Sequence, residues 1–304
     1  MITENRKSNV GHLAAFCTIL IWGTTFVSTK VLLNSFSPIE ILLARFIIGY
    51  IVLLIFYPHR LETKSLREEQ LFIAAGLCGV TLYFLLENIA LTYTLASNVG
   101  IIISIAPLLT AVFAHFFLHG EELRPQFFAG FIIAIVGIVL IGFNGSYILK
   151  LNPLGDFLAT LAAVVWAAYS VIMRKISGLG YNTIGCTRRT FFYGLIFMIP
   201  ALFFLDFRLD LTRFADTKNL LNIMFLGLGA SALCFVSWNW AVGVLGAVKT
   251  SLYIYAVPVI TIVSSAVILH EEITPVAYGG AILTLAGLFL SERKTNIKNK
   301  EKIT

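Results

Sequence analysis

Two stretches of the 304-residue chain are written to one plan. Ala247-Val-Lys-Thr-Ser-Leu-Tyr-Ile-Tyr-Ala-Val-Pro258 runs on apolar to Leu269, then reads His270-Glu-Glu-Ile-Thr-Pro275 and enters a glycine-punctuated apolar run. Earlier, Ala96-Ser-Asn-Val-Gly leads to Pro107, an apolar run, His119-Gly-Glu-Glu-Leu-Arg-Pro125 and a run containing Gly130 and Gly137. Pro107 pairs with Pro258 at an offset of 151, while Pro125, Gly130 and Gly137 pair with Pro275, Gly280 and Gly287 at 150. The chain is therefore one unit written twice, about 1–150 and 151–304.

The unit is not soluble. Apolar residues make up 58% and charged residues 12%, about half the charge of a typical soluble domain. Apolar runs long enough to cross a bilayer recur throughout. The composition reads as an all-α integral membrane protein. Ten transmembrane helices are expected, at about 12–33, 38–57, 70–92, 96–118, 126–143, 154–174, 182–205, 220–243, 247–268 and 275–291. The first run is too long for a signal-peptide core and lacks a cleavage site, so it is expected to stay.

Lysines and arginines set the orientation. With ten spans both termini share a side, and that side collects thirteen basic residues, from Arg6 and Lys7 to the polar tail after Glu292. The opposite side has four, Lys150, Arg208, Arg213 and Lys218. Both termini are expected in the cytoplasm, in a cytoplasmic membrane. The positive charge is topological, with no nucleic-acid partner implied. Because five is odd, the second copy enters from the opposite side, and the halves form an inverted repeat. Trp22 pairs with Trp166, Lys30 with Arg174 and Arg45 with Arg189 at 144; Glu87-Asn88 pairs with Trp238-Asn239 at 151. Inverted repeats are how many secondary transporters build two alternative states.

These residues resemble a known family. Ile21-Trp-Gly-Thr-Thr-Phe26, Arg45, the Ala96-Ser to Pro107 stretch, the Glu121-Glu122 turn and their second-copy partners are similar to EamA domains of the drug/metabolite transporter superfamily. The likeness spans roughly 10–292. It implies a ten-helix transporter and favours export of a small metabolite, such as an amino acid. The sequence departs where a site would sit: Trp238 stands where the first copy has Glu87, and Trp166 is followed by alanine where Trp22 is followed by glycine.

Glu87 is the sharpest candidate for chemistry. A carboxylate at mid-membrane costs roughly 2.5–3.5 kcal/mol on insertion scales, so one kept there faces water, a cation or a proton path. Glu87 is read as a proton-coupling or substrate-amine site, with Tyr83 one turn before it; pairing with a buried base is the structural alternative. Trp22, Thr25, Phe26 and Thr29 share one helix face, and Trp166, Tyr169, Ser170 and Met173 another. Trp22, Thr25, Trp166 and Tyr169 are candidate pocket residues, together with Trp238, Asn239, Asn98, Tyr253 and Tyr255. Helix packing, with kinks at Pro107 and Pro258, competes with that reading. Arg45 and Arg189 are anion-site candidates, since arginine grips a carboxylate through two bonds; snorkelling is the alternative. The cavity is expected between the halves, lined mainly by spans 1, 3, 4, 6, 8 and 9.

No metal or cofactor is expected. His270-Glu-Glu-Ile-Thr lacks the second histidine of a zinc helix, and His119 lies at the other membrane face. The four cysteines, Cys17, Cys78, Cys186 and Cys234, have no CxxC spacing and read as small core residues. No Walker A, GxSxG or GxGxxG pattern appears. A membrane enzyme would need a nucleophile–base pair or clustered ligands, and none is visible. Carriage of a bulkier lipophilic or cationic solute, uptake rather than export, and a non-transporting scaffold stand as rivals. The sequence leaves the oligomeric state open.

Overall fold

The computed structural model describes residues 2–94, 96–118, 125–142, 152–205, 207–208, 210–269 and 274–292. The His119, Glu121-Glu122 and His270 segments and the basic tail lie outside them. Every regular element described is helical: α1 (Ile2–Leu32), α2 (Pro38–Phe56), α3 (Leu66–Gly76), α4 (Tyr83–Tyr93), α5 (Ala96–Ile103), α6 (Ala106–Phe117) and α7 (Pro125–Gly142). Then follow α8 (Pro153–Ser177), α9 (Thr183–Phe204), α10 (Thr217–Met224), α11 (Cys234–Leu245), α12 (Ala247–Leu252), α13 (Val257–Leu269) and α14 (Pro275–Glu292). Six segments are long and apolar enough to cross a membrane by length and composition: Arg6–Leu32, Pro38–Phe56, Leu66–Tyr93, Pro153–Ser177, Thr217–Leu245 and Ala247–Ile268. Ala106–Phe117, Pro125–Ile141 and Pro275–Ser291 are shorter apolar helices. This is a multi-pass arrangement. Large apolar side chains such as Phe56, Phe203, Phe204 and Phe289 are at least 70% exposed, a surface suited to hydrocarbon and not to water.

The irregularities recur at the offset of the repeat. A π-helical stretch, Leu77–Leu82, joins α3 to α4, and another, Phe225–Leu233, joins α10 to α11. Each inserts wider turns into one apolar helix. The helix of residues 96–118 breaks at 104–105, one residue before the α6 turn that holds Pro107. Its counterpart passes through a 3₁₀ turn, Tyr253–Ala256, before Pro258. Proline explains both breaks: it has no N–H to give the preceding turn. At the end of α1, Lys30 donates to the Leu91 carbonyl of α4 (3.4 Å). At the end of α8, Arg174 donates to the Gly243 carbonyl of α11 (2.7 Å). A cation thus meets the carbonyl end of a helix in each half.

Packing crosses between the halves. α1 lies along α11 and α13, while α8 lies along α4, α5 and α6. α2 packs on the second π stretch and α9 on the first. α7 and α14 form an antiparallel pair joined backbone to backbone. A Cβ on Gly137 would meet the Gly280 carbonyl at 2.5 Å, and one on Gly287 would meet the Gly130 carbonyl at 2.6 Å. The repeated glycines are where these two helices touch. Such small-residue seams let apolar helices associate without a hydrophobic drive.

Candidate functional site

A cavity opens in the middle of the bundle where both irregular helices and α1 and α8 converge. α1 contributes Trp22, Thr25 and Phe26; α4 contributes Tyr83, Phe84 and Glu87. The breaks in the helices of 96–118 and 247–268 bring in Gly100, Ser104 and Ile254, and Trp166 faces it from α8. Arg45 reaches in from α2. Span two therefore joins the wall, and span eight supplies no lining residue among those described, unlike the expected set of spans. The water-accessible space is about 40 Å³. At ~10–15 Å³ per water position, it admits about three waters. A solute the size of an amino acid enters only if the helices part.

Two opposite charges are buried here. Glu87 is 6% and Arg45 2% exposed. The Arg45 Nε donates to Ser231 Oγ at 3.0 Å, across to the second π stretch. Its guanidinium lies 4.5 Å from the Phe84 ring centre, a cation–π contact strengthened by desolvation. Glu87 stands beside Tyr83, one turn back, and feels the Arg45 charge. The two are attracted without forming a direct ion pair, so each has hydrogen-bonding capacity left for a third party.

The floor of the cavity is aromatic. Trp22 stands edge-on to Trp166 at 5.4 Å between ring centres and is tilted against Trp238 at 5.1 Å. Tyr83 packs on Trp166 at 4.7 Å. Trp22 Nε1 donates to the Ala230 carbonyl at 2.9 Å. Thr25 Oγ1 donates to the Trp22 carbonyl at 2.7 Å, leaving its lone pairs to the cavity.

The other candidates lie elsewhere. Trp238 is buried behind Trp22 and Trp166. Tyr169 donates to Asn239 Oδ1 (2.8 Å), and Asn239 Nδ2 donates to Thr187 Oγ1 (3.1 Å), a bridge across α8, α11 and α9. Tyr253 meets His12 Nδ1 at 2.8 Å. Tyr255 is buried against Phe131 of α7. The side chain of Asn98 lies outside the described residues. Arg189 is separated from Arg45: it pairs with Glu69 at 2.6 Å, and Tyr193 bonds the same carboxylate. Phe84 and Ser231 went unmarked in the sequence, though Phe84 lies three residues before Glu87 on the same helical face.

Two features flank the cavity. Near the ends of α8 and α11 and the start of α9, a second cavity of about 200 Å³ is lined by Ser177, Thr183, Cys186, Asn239 and Trp240. At the other end, Glu40 is held by Arg213 (2.9 Å) and by the Arg208 amide (2.7 Å). The hydrogen bond to Glu40 raises the Arg213 pKa above the usual arginine value. Among the described residues, no group of three or more His, Cys, Asp or Glu could hold a metal ion.

The fold is that of a multi-pass helical membrane protein. The profile of the EamA-like transporter family matches residues 9–143 and again 153–293. The chain belongs to the EamA-like transporter family. It is 28% identical to an "uncharacterized transporter" of Archaeoglobus fulgidus, over 93% of this chain and 97% of that one. It is 27% identical to a "probable terminal-alkyne amino-acid exporter" of Streptantibioticus cattleyicolor, over 96% of each. A crystal structure superposes with a TM-score of 0.74 at 20% identity, covering 92% of this chain and 96% of that one, a likeness of fold alone. The chain is a transporter and not an enzyme.

Proposed function

We propose that the chain is a secondary transporter that exports a small zwitterionic metabolite of the amino-acid class by alternating access. In this reading it has ten transmembrane helices as two inverted five-helix repeats, 1–150 and 151–304, in the cytoplasmic membrane with both termini cytoplasmic. The single observation that carries it is the cavity in which buried Glu87 and Arg45 sit apart among aromatic rings. A substrate ammonium suits Glu87 and the ring faces; a substrate carboxylate suits Arg45. The exporter named among the relatives supports the substrate class. The repeated π stretches, proline breaks and basic caps support the inverted repeat.

Glu87 is the proposed coupling group: it carries a proton one way and releases it when substrate takes its place. Flux of labelled amino acids in proteoliposomes, with and without an imposed pH gradient, tests this. The gradient should drive wild-type flux, and Glu87→Gln should lose the response. Equal flux with and without a gradient would remove the proton from the mechanism.

A further inference from the structure

The two halves carry the same parts around their π stretches and use them differently. Ala230 lies within Phe225–Leu233. In an α-helix its carbonyl would take the amide of Cys234, but that amide bonds the carbonyls of Gly229 and Ser231 instead. The Cys234 amide does not take that carbonyl, and Trp22 Nε1 does, at 2.9 Å. The repeat offsets carry Trp22 to Trp166 and Ala230 to Gly79. Gly79 lies within Leu77–Leu82, and the amide of Tyr83 bonds the Cys78 carbonyl, passing over that of Gly79 in the same way. Gly79 also backs onto α8: a Cβ there would run into the ring of Tyr169, one turn from Trp166. Yet among the described residues Trp166 Nε1 is buried without a hydrogen-bond partner. One bond of a symmetric pair is made and the other is not.

The wall of the second cavity differs from its counterpart at one position. The 200 Å³ cavity is lined by Ile176, Thr183 and Cys186. At the offset of 144, their counterparts are Leu32, Ile39 and Leu42, all fully buried. Thr183 is half-buried in the cavity wall while its counterpart Ile39 is fully buried; Ile176 and Cys186 are nearly as buried as their counterparts. A buried donor without a partner is a group that another arrangement of the molecule can satisfy.

We propose that Trp22 and Trp166 are reciprocal positioning residues that select between the two transport states. The Trp22–Ala230 bond holds the present state. In the alternative state Trp166 donates to the Gly79 carbonyl while Trp22 lets go, and the cavity beside Thr183 closes as its counterpart opens. The two indoles touch, so both cannot settle independently. This rests on the inverted-repeat reading above.

Labelling of a cysteine placed at Thr183 (Thr183→Cys), half-buried in the wall of the open cavity, reads the state without any solute. The full-length protein in membranes is treated with a small hydrophilic maleimide and labelling is resolved by peptide. Trp22→Phe should shift the equilibrium against the labelled state roughly two- to ten-fold, the span of one neutral hydrogen bond, and so lower labelling. Trp166→Phe should leave labelling at or above the reference and slow turnover. Should either phenylalanine variant fail to fold, 3-benzothienylalanine at the same position keeps the shape and removes only the N–H. A fall with Trp22→Phe and none with Trp166→Phe supports the switch. Any other pattern, including a fall in both or a change in neither, overturns it. Flux by the unsubstituted protein separately decides the functional reading, since labelling needs no substrate.

Discussion

The two arginines that the repeat makes equivalent have been put to different work. Arg45 is fully buried and tied to Ser231 and Phe84 beside the cavity. Arg189 is part-exposed and paired with Glu69. Arg45→Ala should therefore weaken binding of a carboxylate-bearing ligand at least ten-fold, as read by titration of purified protein. Arg189→Ala should leave that affinity unchanged and cost about 1 kcal/mol or less of stability, because the pair is partly screened. Tyr169→Phe belongs with the second class. It leaves Asn239 Oδ1 without its donor, which should cost about 1–3 kcal/mol, measured as a lower melting temperature with ligand affinity retained. Glu87 was visible in the sequence because an acid stands out in an apolar run. The role of Arg45 was only half visible, since its partners, Ser231 and Phe84, lie 186 and 39 positions away and their approach is decided by packing.

Among the elements, the α7–α14 seam gives the sharpest contrast between neighbouring residues. Gly280 faces the Gly137 carbonyl, whereas a Cβ on Gly279 would meet nothing within 4 Å. Gly280→Ala should lower the melting temperature markedly, by the ~1–3 kcal/mol of an overpacked contact. Gly279→Ala should be neutral or stabilise by ~0.5–1 kcal/mol, as alanine suits a helix better than glycine. Comparing the two thermal melts checks the seam, and equal effects would remove it. The glycines were legible as a repeated pattern, but the pattern pairs Gly130 with Gly280, while in space Gly130 lies against Gly287 and Ser291. Periodicity identifies equivalent positions; the antiparallel approach decides which of them touch. The proline breaks were foreseeable because the missing N–H is a local property. The π stretches were not: nothing in Leu77–Leu82 or Phe225–Leu233 differs in hydropathy from an α-helix.

For the whole molecule, cross-packing bears on how it moves. α1 and α2 pack on the second half's π stretch, and α8 and α9 on the first half's. Mobile bodies drawn from both halves fit these contacts better than two halves rocking as sequence units. Membrane character, duplication and family were open to reading from the sequence alone. The asymmetric indole contacts were not, because they depend on which of two equivalent sets of contacts is made. The proposed orientation is checked by tags at either terminus: in intact cells both should resist an impermeant reagent and react after permeabilisation.

The central claim is that the Glu87–Arg45 cavity takes a zwitterion. The direct measurement is a thermal-shift titration of the purified protein with α-amino acids, their methyl esters and the corresponding decarboxylated amines, in wild type, Arg45→Ala and Glu87→Gln. Binding to the folded state alone at a hundred-fold excess over Kd adds about 2.7 kcal/mol of stability. An amino acid should raise the melting temperature of the wild type, its ester and amine should not, and Arg45→Ala should abolish the shift. Stabilisation by amines or lipophilic cations that survives Arg45→Ala would contradict the claim and assign the cavity to a different class of solute.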